Sequence, residues 1–285
     1  MPIADLHTHS TASDGLLSPT EVVERAAEAG VTILALTDHD TTDGVAEALD
    51  AGRRIGIEVI PGIEINTEHE AGSLDILGYW IPVTPGPFQA RIAELRDARV
   101  HRGQRMVEAL NRLGVPVRWE RVRELAQGSV GRPHVAQALV ETGHVRSLGE
   151  AFDIYIGHGR PAYVPRPRFT AVEAIQFVRA HGGVPVMAHP IPAAAQHRDP
   201  FHLEDLLPRL RNAGLAGIDA YYGSYTPDTI RRLVALAGRY GLIPAGGSDF
   251  HGPAISTALG TPGVPIGSVD RLRRLRTDPK GLRDL

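Results

Sequence analysis

Two periodicities alternate along most of the chain. Short apolar runs of strand type are followed by segments in which apolar residues recur every three or four positions, the spacing of an amphipathic helix. The predicted strands are IADLH, TILALT, IEVIPGIEIN, LDILGYW, VPVMAHP, AGIDAYY and LIPAGGSDFHG. Strands separated by helices of ten or more residues are typical of parallel βαβ units, so the sequence predicts an α/β fold.

Helix boundary signals support this alternation. Ser18 followed by Glu21, and Thr170 followed by Glu173, have the spacing of a capping box, which satisfies backbone N–H groups at a helix start. Further helices are predicted at residues 43–56, 203–213 and 227–240, with a helical tail after Ser268.

The pattern changes in the middle of the chain. From Phe88 to about Ile156 the helical period is almost uninterrupted. This change predicts that residues 1–85 and 166–285 form the α/β domain, and that residues 86–165 form an inserted all-helical subdomain acting as a substrate cap.

Composition limits the class of protein. Hydrophobic residues make up 42% of the 285, which is enough for a packed core. No apolar run reaches the roughly 18 residues of a membrane span, and the chain starts with a strand-like segment in place of a signal peptide. We therefore expect a cytoplasmic protein without a membrane partner. Cysteine is absent, so any metal must be bound by imidazole and carboxylate groups.

Charge is balanced overall but unevenly distributed. The chain has 30 basic and 33 acidic residues, whereas residues 86–170 contain fourteen arginines and eight acidic residues. One interpretation of these arginines is a solvated helical surface, and another is an anion-facing segment beside an acidic, cation-holding body. The chain has no long basic track for nucleic acid.

Nearly every predicted strand ends in a potential nitrogen or oxygen ligand. These residues are His7, His9, Asp14, Asp38, His39, Asp40, Glu64, Asp75, His189, Asp219, Asp249 and His251. The carboxyl ends of parallel strands meet at one edge of a sheet or barrel, where ligands bind. The sequence therefore predicts that these side chains gather in one place.

The spacing within this set suits metal coordination. His7 and His9 are two residues apart, so an extended strand points both imidazoles to the same side, and Asp249 and His251 repeat the arrangement. Glu64 can bridge two cations with its two oxygens. A single histidine is usually a hydrogen-bonded structural residue, but so many imidazoles and carboxylates would desolvate and repel one another without cations between them. We interpret the set as a multinuclear metal site.

Several motifs carry a family resemblance. DLHTHSTASDG, LALTDHDTTDG, PGIEIN, AHP and GGSDFHG resemble, in order and spacing, the motifs of the PHP (polymerase and histidinol phosphatase) superfamily. GRPHVAQALVE and GHGRPAYVP resemble the insert of its stand-alone phosphatases that act on nucleotides and nucleoside 3′,5′-bisphosphates. The resemblance implies a distorted (β/α)7 TIM-like barrel, and two or three divalent ions of Mn²⁺, Fe²⁺ or Zn²⁺.

The resemblance also implies three groups of metal ligands. The first contains His7, His9, Glu64 and Asp249, the second Glu64, Asp75 and His189, and the third Asp14, His39 and His251. Glu64, Asp249 and His251 are the implied catalytic residues. The family usually has His at the position of Asp75. The carboxylate favours a harder ion such as Mn²⁺ over Zn²⁺, or else the second ion is weak or absent.

The implied reaction is hydrolysis of a nucleotide phosphate monoester, AMP or a nucleoside 3′,5′-bisphosphate, by metal-activated hydroxide. The same metal core suits other activities, namely a 5′–3′ exonuclease on short oligonucleotides, a cyclic phosphate phosphodiesterase and a histidinol phosphatase. The GRPH and GHGRPAY segments argue against the last of these. The expected partner is a small phosphorylated substrate, and the proton donor to its leaving group is a metal-bound water or His251.

Four residues of the helical insertion are predicted to bind a second phosphate or the distal end of a nucleotide: Arg132, His134, His158 and Arg160. Arginine binds phosphate bidentately, and neighbouring glycines let backbone amides approach. The alternative for GRPH is a helix start, with Pro133 in the first turn and Arg132 in solvent. Tyr221 and Tyr222 suit either base stacking or barrel packing.

Overall fold

The computed structural model describes residues 3–69, 72–126, 130–165, 168–192, 199–253 and 257–277. The chain divides into two compact units, one formed by residues 1–89 with 168–285 and the other by residues 90–167. We call them the first unit and the second unit.

The elements are numbered in chain order. The strands are β1 (Ile3–Asp5), β2 (Val31–Leu36), β3 (Glu58–Ile65), β4 (Thr67–His69), β5 (Gly72–Ser73), β6 (Ile76–Tyr79), β7 (Phe169–Thr170), β8 (Val184–Met187), β9 (Gly217–Tyr222) and β10 (Ile243–Gly247). The helices are α1 (Pro19–Glu28), α2 (Val45–Ile55), α3 (Pro87–Arg112), α4 (Trp119–Ala126), α5 (Arg132–Glu141), α6 (Leu148–Ala151), α7 (Ala171–Ala180), α8 (Leu203–Ala213), α9 (Pro227–Arg239) and α10 (Ile266–Thr277).

Seven strands form one barrel-shaped sheet in the order β1-β2-β3-β6-β8-β9-β10. The first and last of these strands approach each other, because the N–H of Leu6 donates to the carbonyl of Gly246 at 3.0 Å. Apolar side chains such as Leu77, Val186 and Ala245 are buried together in its core. The sheet is a nearly closed barrel surrounded by helices, and the predicted α/β fold class is confirmed.

The direction of β6 differs from the predicted parallel pattern. β6 is antiparallel to both β3 and β8, whereas the other neighbours in the barrel sheet are parallel. Ten residues, 66–75, separate β3 from β6, whereas a parallel connection needs a crossover of a dozen or more residues. As a result Asp75, which precedes β6, lies at the edge where the parallel strands end. β4, β5 and β7 form a separate small sheet that the sequence pattern did not predict.

Both predicted capping boxes are present. The Ser18 hydroxyl accepts the N–H of Glu21 at 3.3 Å, and the Glu21 carboxylate accepts the N–H of Ser18 at 2.8 Å. Thr170 and Glu173 make the same pair of bonds at the start of α7. These reciprocal bonds satisfy two N–H groups that a helix start otherwise leaves unpaired.

The second unit is helical and has its own apolar core, which includes Met106, Leu110, Val122 and Leu139. Its short helix α6 continues into a π-helical turn at Phe152–Ile156, a detail that the sequence pattern did not predict. In the part of the chain that the structure describes, no helix is both long and apolar enough to cross a membrane.

Candidate metal centre

Two segments joined by an isolated backbone bridge present site residues side by side. Thr8 and Phe250 form an isolated parallel bridge, in which the N–H of His9 donates to the Phe250 carbonyl at 2.8 Å and the N–H of Asp249 donates to the His7 carbonyl at 2.9 Å. Thr8 and Phe250 are buried. This pairing places Asp249 Oδ1 3.3 Å from His7 Nε2 and 3.1 Å from His9 Nε2, and the ring of His251 beside that of His9.

Glu64 is fully buried and contacts four imidazoles. Its Oε2 lies 3.0 Å from His7 Nε2, 3.2 Å from His9 Nε2 and 3.3 Å from His39 Nδ1. Its Oε1 lies 3.0 Å from His189 Nε2. The two oxygens of one carboxylate therefore face different sets of histidines.

The structure brings all nine predicted metal ligands together in the first unit, in three groups whose ligand atoms lie within 4.8 Å of one another. The first group is His7, His9, Glu64 and Asp249, the second is Glu64, Asp75 and His189, and the third is His9, Asp14, His39 and His251. Glu64 belongs to two groups, as expected from the sequence. His9 also belongs to two, which the sequence did not indicate. That the nine residues bind metal ions stays a prediction.

The second group joins the end of β8 to the start of β6. The backbone carbonyl of Asp75 accepts the N–H of Ala188 at 2.9 Å, which holds His189 beside it. The Asp75 carboxylate is largely buried and accepts the N–H of Thr67 at 3.3 Å. Its orientation is therefore fixed by the backbone around it.

The third group is the most open to solvent. Asp14 has 40% of its side chain exposed, with one oxygen 3.4 Å from His251 Nε2 and the other 3.8 Å from His39 Nε2. The rings of His9 and His251 stack with their centroids 4.1 Å apart. Solvent therefore reaches this group more easily than the other two.

The donor set fits divalent cations. Both ring nitrogens of His9 are buried and neither makes a hydrogen bond to a described residue, although Nε2 lies 3.1 Å from Asp249 Oδ1. A buried polar atom without a partner is costly, and a cation between these atoms would remove that cost. Imidazole and carboxylate donors without thiolate suit Mn²⁺, Fe²⁺ and Zn²⁺.

The charges within the cluster also favour a bound cation. Burial opposes the charged form of His9, but its contacts with Asp249 and Glu64 outweigh burial and raise its pKa to about 10. Burial likewise opposes the charged form of His189, and Glu64 raises that pKa to about 9. Burial favours a neutral Glu64, yet His39 and the neighbouring imidazoles hold its pKa well below the usual range. The cluster thus attracts positive charge, and a divalent cation would displace the imidazole protons.

Two buried aspartates hold the segments that carry the imidazoles in place through hydrogen bonds. Asp5 accepts the N–H of Ser248 at 2.9 Å and its hydroxyl at 2.7 Å. Asp38 accepts the N–H and hydroxyl of Ser10, both at 2.7 Å, and the hydroxyl of Ser13 at 2.6 Å. Asp38 was among the predicted strand-end residues, but it lies outside the three groups and organises the loop after β1.

Two further side chains touch the site: Asn66, which sequence reasoning did not consider, and Tyr222, for which it left base stacking and barrel packing open. The amide of Asn66 contacts His39 Nδ1 at 3.1 Å, and the hydroxyl of Tyr222 donates to Asp249 Oδ2 at 2.7 Å. Asn66 is two residues beyond Glu64, so an extended chain turns both to one face, and this spacing was the available signal.

The backbone is strained at two of the nine residues. His189 and Asp249 have positive φ angles of 21° and 53°, a region that non-glycine residues rarely adopt. Such conformations cost about 1–3 kcal/mol each and persist where the surroundings fix them. Here the N–H of His189 donates to Asp219 and that of Asp249 to His7.

The four predicted phosphate-binding residues lie in the second unit. Arg132 starts α5 and its guanidinium carbon lies 5.3 Å from the ring centre of Phe152, while His134 Nδ1 accepts the backbone N–H three residues before it at 3.0 Å. GRPH is therefore a helix start with Pro133 in its first turn, but Arg132 is half-buried and does not extend into solvent. His158 and Arg160 are exposed. Phosphate binding by these four residues stays a prediction.

A barrel that collects buried imidazoles and carboxylates where its strands end is typical of metal-dependent hydrolases. The PHP domain model matches residues 5–141 of this chain. The chain is 36% identical over 256 residues to a 5′-3′ exoribonuclease of Haemophilus influenzae, covering 90% of this chain and 92% of the relative. It is 34% identical over 255 residues to a 3′,5′-nucleoside bisphosphate phosphatase of Chromobacterium violaceum, covering 87% of each. A crystal structure of a metal-dependent phosphoesterase from Bifidobacterium adolescentis is 32% identical, with a TM-score of 0.77 and 94% of each chain covered.

The chain belongs to the PHP family. It is a metal-dependent phosphoesterase, and the predicted enzyme class, a phosphoric ester hydrolase, is confirmed.

Asp75→His is expected to change which ion the second group prefers. Imidazole is a better ligand for Zn²⁺ and carboxylate for Mn²⁺, so we expect the Zn²⁺-to-Mn²⁺ affinity ratio to rise by about tenfold. Competition dialysis followed by elemental analysis measures this ratio. Asp75→Asn, which keeps the acceptor for the N–H of Thr67, is the control and should weaken both ions. An unchanged ratio in Asp75→His would show that this side chain does not bind an ion.

Proposed function

We propose that the protein hydrolyses phosphate monoesters of nucleotides, with AMP or nucleoside 3′,5′-bisphosphates as substrates, at a centre of two or three divalent cations held by the three groups. The observation that carries the proposal is the position of Glu64, whose Oε2 faces His7 and His9 and whose Oε1 faces His189. A carboxylate placed in this way can connect two cations, one through each oxygen.

When bound, the cations activate water and neutralise the phosphoryl oxygens during in-line attack. The chain's own residues hold the ligand atoms in place. His251 Nδ1–H donates to the backbone carbonyl of Asp249 at 2.9 Å, so Nε2, which lies 3.4 Å from Asp14, is the ring nitrogen turned toward the third group. The Tyr222 hydroxyl donates to Asp249 Oδ2, which leaves Oδ1 facing His7 Nε2 at 3.3 Å.

Two observations support a nucleotide as substrate. The relative named as a nucleoside bisphosphate phosphatase aligns over 87% of this chain, a span too long to leave out the helical insertion. The second unit also carries the excess of arginine, which suits a substrate with more than one phosphate. We propose that Arg132, His134, His158 and Arg160 bind the phosphate that is not cleaved.

A second candidate is 5′–3′ exonuclease activity on short oligonucleotides. It is supported by the 36% identity to the exoribonuclease of Haemophilus influenzae, which also aligns over nearly the whole chain. Removal of a 5′ nucleotide breaks a phosphodiester in place of a monoester but requires the same metal core. The two activities therefore differ in how the rest of the substrate is bound.

A substrate panel tests the proposal. Protein loaded with Mn²⁺ is assayed with AMP, a nucleoside 3′,5′-bisphosphate, 5′-phosphorylated di- and trinucleotides, a cyclic sugar phosphate and histidinol phosphate. We expect the highest kcat/KM with the bisphosphate or AMP. A preference of at least about tenfold for the oligonucleotides, equal to about 1.4 kcal/mol, would favour the second candidate instead.

Arg160→Ala is expected to raise KM for a nucleoside 3′,5′-bisphosphate about 10- to 100-fold, because charge-assisted hydrogen bonds contribute about 1.5–3 kcal/mol. KM for a monophosphate should change less than about twofold. Arg146→Ala removes the same charge from another exposed position of the second unit and is the matched control. Equal KM values for the bisphosphate in parent protein and Arg160→Ala would remove Arg160 from the substrate site.

A further inference from the structure

A buried carboxylate outside the three groups contacts two of their members. Asp219, in β9, is fully buried. Its Oδ2 accepts a hydrogen bond from His7 Nδ1 at 2.9 Å and another from the backbone N–H of His189 at 3.3 Å. It therefore touches one residue of the first group and one of the second without belonging to either.

The contact with His7 determines where that imidazole carries its hydrogen. A carboxylate can only accept, so Nδ1 is the donor, and the lone pair of a neutral ring is left on Nε2. His7 Nε2 is the atom that lies 3.0 Å from Glu64 and 3.3 Å from Asp249. The bond to Asp219 thus selects the tautomer and the ring orientation that ligation through Nε2 requires.

The neighbouring strand leaves room for this carboxylate. Gly246 in β10 has a φ of 141°, and a Cβ at this position would lie 2.2 Å from the Tyr221 carbonyl oxygen and 2.4 Å from Asp219 Oδ1. A larger residue would therefore clash with both the backbone of β9 and the Asp219 carboxylate, so the first glycine of the GGSD motif allows β10 to pack closely against them.

The bonding of Asp219 differs from that of a purely structural aspartate. Its Oδ1 is buried and has no hydrogen-bond partner among the described residues. Asp5, by contrast, uses both oxygens, with Ser248 bonding to each and the N–H of Gly260 donating at 2.8 Å. Burying a carboxylate with one oxygen unpaired lowers the stability of the fold, so a purely structural role does not explain Asp219. The side chain that it does bond, His7, is a candidate metal ligand.

We propose that Asp219 is a positioning residue of the metal centre, which holds His7 with Nε2 turned toward the cation and so sets the affinity of the first group. The inference rests on the proposed metal centre. It assigns no direct contact with substrate to Asp219, which acts through the imidazole.

A double-mutant cycle on Mn²⁺ binding tests the proposal, using the parent protein, Asp219→Ala, His7→Ala and the double variant. Asp219→Ala removes the acceptor for His7 Nδ1 and should weaken the tightest class of Mn²⁺ sites about 10- to 100-fold, the effect of losing a partner that orients a ligand. The double variant should bind Mn²⁺ within about twofold of His7→Ala, because the two residues act as one unit. Unchanged Mn²⁺ affinity in Asp219→Ala, or additive losses in the double variant, would overturn the proposal.

A second measurement needs no Asp219 variant and remains available if that variant does not fold. In Zn²⁺-loaded protein labelled with ¹⁵N-histidine, long-range ¹H–¹⁵N correlation identifies the protonated nitrogen of each ring, and His7→Ala assigns the His7 signal. We expect hydrogen on Nδ1 of His7, and hydrogen on Nε2 would contradict the proposal. A parent protein that bound neither Mn²⁺ nor Zn²⁺ would instead contradict the proposed metal centre.

Discussion

Glu64→Gln is expected to lower kcat/KM for phosphate monoesters by about a thousandfold. The amide has the same shape, but it replaces one of the two oxygens that face the imidazoles with a hydrogen-bond donor and removes the negative charge. A loss of roughly 4 kcal/mol of transition-state stabilisation, the scale of a metal-ion contribution, corresponds to this change in rate. The measurement is steady-state kinetics at saturating Mn²⁺, together with the number of ions bound per chain.

Glu58→Gln is the matched control because it makes the same chemical change in the same strand. Glu58 lies at the other end of β3, where its carboxylate pairs with Arg273 at 2.8 Å on the surface. Exposed pairs contribute about 0–1 kcal/mol, so this variant should retain its ions and its activity. If Glu64→Gln kept full activity with the full number of ions, Glu64 would not be a shared metal ligand.

Removal of metal is expected to abolish hydrolysis and to lower the melting temperature. Ions that bind the folded chain stabilise it, by about 2.7 kcal/mol for one site at a free-ion concentration of 100 Kd. For a chain of this size we expect an increase in Tm of about 5–10 °C when Mn²⁺ is returned to chelator-treated protein. Thermal unfolding and activity are followed in the same samples.

Two comparisons make the metal-removal experiment decisive. Glu64→Gln should show a smaller rise in Tm with Mn²⁺ than the parent protein, because two of the groups share this carboxylate. Hydrolysis of a phosphoester by protein shown to be metal-free would contradict the proposed function.

Local patterns in the sequence were enough to predict much of the fold. Ser18 with Glu21 marks a helix start through bonds that lie within one turn, so tertiary contacts are not needed to recognise it. The alternation of strands and helices predicted the α/β class for a similar reason, since each period reflects the geometry of its own element. The direction of β6 could not be predicted in this way, because it depends on what connects it to β3.

The candidate site likewise has features that local spacing predicts and contacts that it does not. The spacing of His7 and His9 predicts that both imidazoles face one side, since alternation along an extended chain is local. The bond between His7 and Asp219 joins residues 212 positions apart, so no local sequence pattern can predict it. The contact of Asn66 with His39 and the bond from Tyr222 to Asp249 were not predicted either, because an amide or a phenol has many structural uses.

The sequence by itself determined which chemical groups are available: imidazoles and carboxylates at the ends of strands, no thiolate, and helices whose starts are marked by their caps. Only the tertiary structure decided how these groups combine in detail, with His9 also shared between two groups and Asp219 bonded to His7. The physical reason is that donor types and spacings are properties of short segments. The distances between ligand atoms, by contrast, are fixed by the closure of the barrel, which brings together strands far apart in the chain.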